Sequence, residues 1–136
     1  MKKKMLFIIP IFSVCIIGTA FRFIYQPKPW NVPDKYVKMI NPVKADAKSI
    51  NAGKSLYSVN CQDCHGKKGL GDGTKAPDLK TQPGNLVNKA FQCQTDGSIF
   101  YKISQGRNEM PSAKKDYPDN ADRWNLVNYL RTLAKK

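Results

Sequence analysis

The sequence is poor in acidic residues: ten Asp and Glu stand against 23 Lys and Arg, which leaves a formal net charge of +13. A charge of this sign favours acidic protein surfaces, anionic lipid or nucleic acid as partners. The basic residues are spread along the chain, and no recognised nucleic-acid-binding motif accompanies them. We therefore expect no nucleic-acid partner.

The sequence also lacks internal repeats, low-complexity tracts and any period-two alternation long enough to indicate a sheet. Its 136 residues are typical of one domain. Helical apolar spacing and capping residues instead predict three helices, over residues 49–60, 96–105 and 120–134. We expect their N-caps at Ser49 or Asn51, at Thr95, and at Asp119 or Asn120.

The sequence also has few apolar segments outside its N-terminus that could form a large hydrophobic core. Three short helices joined by long loops bury little apolar surface, and domains of this kind often need a disulfide set, a metal or a cofactor. The sequence should therefore contain such a group, and its four cysteines and one histidine are the residues to consider.

The N-terminus reads as an export segment over residues 1–25. Three lysines precede an apolar run at positions 5–21, as in a secretory signal peptide, and Gly18-Thr19-Ala20 offers small residues for cleavage. The run has 17 residues, the lower limit for spanning a bilayer, so an uncleaved anchor is the competing interpretation. Lipidation at Cys15 is a third, disfavoured by the branched Val14 before it. Each interpretation sends the polar remainder out of the cytoplasm.

Residues 26–48 read as a linker, followed by a globular domain over residues 49–136. Four prolines in the linker interrupt regular structure, because each lacks a backbone donor and restrains the residue before it. Its apolar residues, Trp30 among them, make it less polar than a solvated tether. We expect it to pack on its own domain rather than on a partner.

The cysteines and the histidine meet in Cys61-Gln62-Asp63-Cys64-His65. This is the C-x-x-C-H pattern of c-type haem attachment. Two residues between the thiols let both sulfurs reach the vinyl groups on one porphyrin edge, and the adjacent imidazole then lies under the iron. Covalent attachment takes place outside the cytoplasm, which agrees with an exported chain.

Three other interpretations of this cluster remain open at the level of sequence. A redox disulfide between Cys61 and Cys64 would need a βαβ context, whereas the preceding segment reads as a helix. A zinc site needs four ligands, with Cys93 as the fourth, and the adjacent Cys64 and His65 would have difficulty binding one small ion. The third is a structural disulfide beside an uninvolved histidine.

The segments "GKSLYSVNCQDCHG" and "WNLVNYLRTL" resemble the N-terminal and C-terminal helices of the class I, mono-haem cytochrome c family in its exported bacterial type. The resemblance runs from Gly53 to Leu133. It implies an all-α cytochrome c fold, three to five short helices and long loops wrapped around one covalently bound haem c with its iron. It also implies that the two helices cross, with Gly53 as the small residue at the crossing.

The resemblance further implies the roles of single residues. Cys61 and Cys64 would bind haem covalently, and His65 would be one axial iron ligand. Met110, in "GRNEMPSAKKDYPD", resembles the axial methionine of the family and would be the other. Pro77 would accept the Nδ1 proton of His65 through its carbonyl, and Leu79 would contact the haem. Cys93 has no obvious partner, and we expect a buried free thiol there.

The expected function is electron transfer in a respiratory chain, with no catalytic residue and no enzymatic activity. The implied partners are a quinol-oxidising complex and a terminal oxidase or reductase, with the membrane reached through the N-terminal segment. The expected location is the periplasmic side of the bacterial cytoplasmic membrane, anchored or soluble after cleavage. Lys67, Lys68 and Lys75 would steer acidic partners to the haem edge. The alternative is a fixed haem subunit of a larger membrane complex or reductase.

Overall fold

The computed structural model describes residues 29–134. The predicted export segment, with Cys15, therefore lies outside the described residues, as do positions 26–28 and 135–136. In chain order the elements are α1 Asp34–Val37, α2 Ala47–Asn60, α3 Gln62–His65, a 3-10 helix Ala76–Asp78, α4 Lys89–Gln92, α5 Asp96–Gln105, α6 Ala113–Asp116 and α7 Asn120–Thr132. No strand occurs in this part of the chain, which confirms the all-α prediction. None of these helices is long and apolar enough to span a bilayer.

The long helices α2, α5 and α7 lie where the sequence predicts them. The Thr95 side chain accepts a hydrogen bond from the Ser98 backbone N–H at 3.2 Å, so the predicted cap of α5 is confirmed. Asp119 caps α7, also as predicted. The cap predicted for the first helix is wrong. Asp46, rather than Ser49 or Asn51, accepts the bond from the Ser49 N–H at 2.9 Å, and α2 therefore begins earlier, at Ala47.

Helices α2 and α7 pack closely where Gly53 meets the backbone of Asn125. A Cβ atom on Gly53 would lie 2.1 Å from the Asn125 carbonyl oxygen, far inside van der Waals contact. One turn further on, Tyr57 packs on Tyr129 with ring centroids 5.2 Å apart. Because α2 continues directly into the Cys61–His65 motif, this crossing fixes the motif relative to the C-terminal helix.

The hydrophobic core lies between α2, α5 and α7. Phe100 on α5 stacks on Trp124 of α7, with ring centroids 4.0 Å apart and an interplanar angle of 15°. The other fully or nearly fully buried apolar side chains of this core are Tyr57, Leu86, Ile99, Ile103, Leu126, Val127, Tyr129 and Leu130. Trp124 and Tyr129 are thus core residues.

The described part of the linker packs on the domain, as expected from its apolar residues. Tyr36 of α1 contacts Tyr101 of α5 with ring centroids 4.7 Å apart. Asn41 donates a hydrogen bond to the side-chain oxygen of Asn128 on α7 at 2.8 Å. These contacts hold residues 29–46 against α5 and α7, so this segment forms part of the folded unit.

Candidate functional site

The Cys61–His65 motif forms the short helix α3 directly after α2. The Cys61 N–H still donates to the Tyr57 carbonyl of α2, at 2.9 Å, and the His65 N–H donates to the Cys61 carbonyl at 2.8 Å. Gly66 ends the turn with φ +79°, a left-handed conformation that favours glycine. The buried Tyr57 hydroxyl donates to the Gly66 carbonyl at 2.6 Å. The motif is therefore anchored at both ends.

The histidine ring is oriented by a backbone carbonyl. Nδ1 of His65 lies 3.2 Å from the Gly84 carbonyl oxygen. Burial lowers the pKa of His65, while the bond to Gly84 opposes that shift. In the neutral tautomer Nδ1–H donates to this carbonyl, which leaves the Nε2 lone pair available for a metal ion.

This contact corrects the prediction for Pro77. That residue lies exposed in the 3-10 helix Ala76–Asp78, and the carbonyl beside Nδ1 belongs to Gly84 instead. Gly84 lies in the turn "QPGN", and its carbonyl reaches His65 only because the long loop after the motif folds back over the imidazole. Pro83-Gly84 is a turn signal in the sequence, but nothing local to it indicates a contact with the histidine.

The two motif cysteines are half-buried, and no disulfide joins them. Burial, and next the neighbouring Cys64, raise the pKa of Cys61 to about 12. Within residues 29–134 no group of three His, Cys, Asp or Glu side chains is arranged to hold a metal ion.

Cys93 differs from its prediction. It lies exposed at the C-terminal end of α4, not buried as a core thiol. It also belongs to no ligand group with Cys61, Cys64 and His65. The zinc interpretation, which needed Cys93 as a fourth ligand, is therefore not supported.

Met110 lies in a tight reversal of the chain after α5. Arg107 N–H donates to the Met110 carbonyl at 2.9 Å, and Met110 N–H donates to the Arg107 carbonyl at 3.0 Å. Asn108 between them has φ +54°, a left-handed conformation that asparagine tolerates. The reversal fixes the backbone of Met110 and directs the half-buried residue into a neighbouring cavity.

Two contacts tie this reversal to other parts of the fold. The Glu109 carboxylate accepts hydrogen bonds from the backbone N–H groups of Lys80 and Thr81, each at 3.0 Å. The Ser112 hydroxyl donates to the Ser104 carbonyl of α5 at 2.6 Å. The neighbours of Met110 in sequence are thus fixed on both sides: Glu109 binds the loop that follows the motif, and Ser112 binds α5.

Five of the six predicted site residues line one cavity of about 750 Å³. Cys61, Cys64, His65, Leu79 and Met110 all contribute to its wall, whereas Pro77 does not. Apolar side chains of α4, α5 and α7 complete the wall: Phe91, Ile99, Ile103, Leu126 and Leu130. Its volume falls within the roughly 300–1,000 Å³ of cofactor sites. An apolar cavity with two thiols, one imidazole nitrogen and one thioether on its wall fits haem c.

Comparison with known proteins agrees with this geometry. A family model described as "Cytochrome C oxidase, cbb3-type, subunit III" matches residues 48–130. Among curated proteins, the quinohemoprotein alcohol dehydrogenase of Comamonas testosteroni is 34% identical over 65 residues. That alignment covers 46% of this chain and 9% of the dehydrogenase, so the chain spans less than a tenth of that relative's length.

Solved structures give the same fold. A chain of the Kuenenia stuttgartiensis reducing HAO-like protein complex Kustc0457/Kustc0458 has a TM-score of 0.64 and 25% identity, covering 82% of this chain and 53% of its own. The KustC0563 c-type cytochrome has a TM-score of 0.50 and 26% identity, covering 61% and 98%. Cytochrome CL of Methylophaga aminisulfidivorans MPT, at 17% identity and a TM-score of 0.51, covers 83% and 72% and shows the fold alone.

Proposed function

The chain belongs to the cytochrome c family and carries covalently bound haem c, and we propose that it transfers electrons with His65 and Met110 as the axial iron ligands. Cys61 and Cys64 would form the covalent links. When bound, haem c supplies one-electron exchange between Fe(II) and Fe(III). The observation that carries the proposal is that all four side chains line one apolar cavity.

The chain's own residues would set the properties of this site. The Gly84 carbonyl holds the imidazole with Nε2 available, and the apolar side chains of α4, α5 and α7 would pack against the porphyrin. A thioether opposite an imidazole raises the reduction potential relative to stronger donors. A site with a protein ligand on each face passes electrons and leaves no position for a substrate, which supports a carrier rather than an enzyme.

Replacing Met110 tests the sixth ligand. Met110→Ala should convert a haem that resists carbon monoxide into one that binds it, because the thioether no longer occupies that face. Met39→Ala is the matched control, since Met39 lies in the linker and does not line the cavity. Carbon monoxide binding is read from the Soret band of the reduced protein. Ready binding by the unmodified protein would contradict ligation by Met110.

The partner would be an acidic redox protein that docks at the edge beside the motif. Lys67 and Lys68 are exposed there, whereas Lys75 is paired with Asp63 at 2.8 Å and contributes less net charge. Electron-transfer rates should therefore fall as ionic strength rises, because salt screens this attraction. The double variant Lys67→Gln, Lys68→Gln should flatten that dependence more than Lys75→Gln does. Electron-transfer rates of the unmodified protein that do not change with ionic strength would contradict electrostatic steering by these lysines.

A fixed haem subunit of a larger respiratory assembly is the second candidate. It is supported by the relatives, since one is part of a complex and another is an alcohol dehydrogenase many times longer than this chain. We propose a periplasmic location in either case, with residues 1–25 as anchor or cleaved signal. Purification from membranes separates the two candidates: a stable multi-subunit assembly favours the fixed subunit, and a single haem protein favours the carrier. Intact mass of the purified protein reports cleavage.

A further inference from the structure

Three apolar side chains at and just after the end of α1 are exposed. Val37 and Met39 are each 37% exposed, and Ile40 is 85% exposed. We call these three residues the apolar patch. They belong neither to the hydrophobic core nor to the cavity wall. Exposed apolar residues with a polar rim mark a contact with a protein or a membrane, so this patch needs a partner.

The backbone of the patch is fixed on the side of α5 and α7 that faces away from the cavity. A Cβ atom on Gly97 would lie 2.8 Å from the Met39 Cβ, and Asn41 donates to the Asn128 side chain at 2.8 Å. Gly97 and Asn128 each stand two positions from a residue that lines the cavity. Positions two apart point to opposite sides of a helix. A contact at the patch therefore leaves the cavity side of both helices free.

Lysines flank the patch in sequence and are not neutralised. The two ion pairs found among residues 29–134 use none of them. The acidic residues of the same segment are Asp34 and Asp46, and Asp46 is already occupied as the cap of α2. The segment 34–48 is therefore net positive. Its four exposed lysines are Lys35, Lys38, Lys44 and Lys48.

The composition and the position of the patch favour a lipid surface over a protein. Protein interfaces are enriched in Tyr, Trp and Arg and depleted in Lys, whereas here aliphatic and thioether side chains lie among lysines. Segments that bind at a membrane surface have this composition. Val37 also follows the end of the proposed anchor, at position 25, by 12 residues, which span at most about 40 Å. The bilayer is thus within reach of the patch.

We propose that Val37, Met39 and Ile40 insert into the surface of an anionic lipid bilayer, with the four lysines at its headgroups. This inference rests on the proposed membrane location and not on the axial ligands of the iron. The apolar side chains enter the boundary between headgroups and acyl chains, and the lysine ammonium groups stay in the headgroup layer. The edge beside the Cys61–His65 motif stays accessible to a redox partner.

The test is the reactivity of the thiol introduced by Ile40→Cys in the full chain, with Cys15→Ser and Cys93→Ser removing the other free thiols. The haem protein is placed in detergent and in phosphatidylcholine nanodiscs with or without phosphatidylglycerol. Vesicles of the same lipids replace the discs if intact mass shows cleavage of residues 1–25. Intact mass also follows modification by a neutral polyethylene glycol maleimide. Because Ile40 is exposed, the change should not disturb folding.

The expected result is protection of this thiol by anionic lipid. Each lysine near an anionic surface strengthens the contact about fivefold at low ionic strength. The thiol should therefore react at least about fivefold more slowly with phosphatidylglycerol present than without it. Adding Lys35→Gln and Lys38→Gln should weaken the contact about 25-fold and restore most of the reactivity.

Leu70→Cys in the same background is the matched control, since Leu70 is an apolar residue, 38% exposed, in the loop after the motif. Its thiol should react equally fast in all three settings. Equal reactivity at position 40 with and without phosphatidylglycerol would overturn the inference, and a chain still retained in the discs would show that the proposed location stands. Protection that persists in detergent, or that rises with protein concentration, would assign the patch to another part of the chain or to a second copy, and would also overturn it.

Discussion

Replacing Gly53 by alanine should destabilise the holoprotein through the contact between α2 and α7. The added Cβ would lie 2.1 Å from the Asn125 carbonyl oxygen, against ordinary contacts of 3.4–4 Å. To bring this Cβ to an ordinary contact distance, the two helices must move apart by at least 1.3 Å. The obstructing atom belongs to the backbone and cannot rotate away, so the strain is shared by the whole helix pair.

The size of the effect follows from two opposing terms. Overpacking costs about 1–3 kcal/mol and occasionally more, and a backbone obstruction belongs at the upper end. Alanine is favoured over glycine in a helix by about 0.8–1.0 kcal/mol, which offsets part of that cost. The expected net loss is roughly 2 kcal/mol, or a fall in Tm of roughly 8–16 °C for a domain of this size.

The assay is denaturation of the holoprotein followed by far-ultraviolet circular dichroism and by the Soret band. Ser55→Ala is the control, because Ser55 lies exposed on the same helix. It should change stability by less than about 0.5 kcal/mol. A Gly53→Ala variant as stable as the unmodified protein would refute the reasoning, because the helix crossing would then tolerate a methyl group.

Two further changes address the motif itself. Tyr57→Phe removes the 2.6 Å bond to the buried Gly66 carbonyl and should cost about 1–3 kcal/mol in chemical denaturation. Tyr129→Phe, which loses no such bond, should change stability by less than about 0.5 kcal/mol, and equal losses in the two variants would contradict this role of Tyr57. The double variant Cys61→Ala, Cys64→Ala should be largely unfolded, because the core would surround an empty cavity of about 750 Å³. Native-like helical circular dichroism without haem would disprove that expectation.

The long elements could be predicted because their signals are local. Thr95 and Asp119 are capping residues, and α5 and α7 begin directly after them. The four-residue helices were not predictable, since they are shorter than the window in which helical periodicity can be read. The cap of α2 was misplaced because Ser49 and Asp46 both have capping side chains, and only the chain path before Ala47 decides between them.

The candidate site was predictable as far as covalent spacing defines it. The cysteines and His65 follow one another in sequence, whereas the Gly84 carbonyl reaches the imidazole through a long loop with no regular pattern. The contact of Trp30 with Arg107 likewise joins distant parts of the chain. Such contacts depend on tertiary packing, and no local rule in a single sequence indicates them.

If the chain is exported, as proposed above, the pairing of α2 with α7 bears on the order in which its parts assemble. A chain that crosses a membrane from its N-terminus delivers the Cys61–His65 motif before it delivers residues 120–132. During that interval α7, which supplies Leu126 and Leu130 to the cavity wall, is still on the other side. Haem would therefore attach to exposed thiols while the wall that α7 supplies is still missing. Arrival of the last helix would then close the wall over a cofactor already bound.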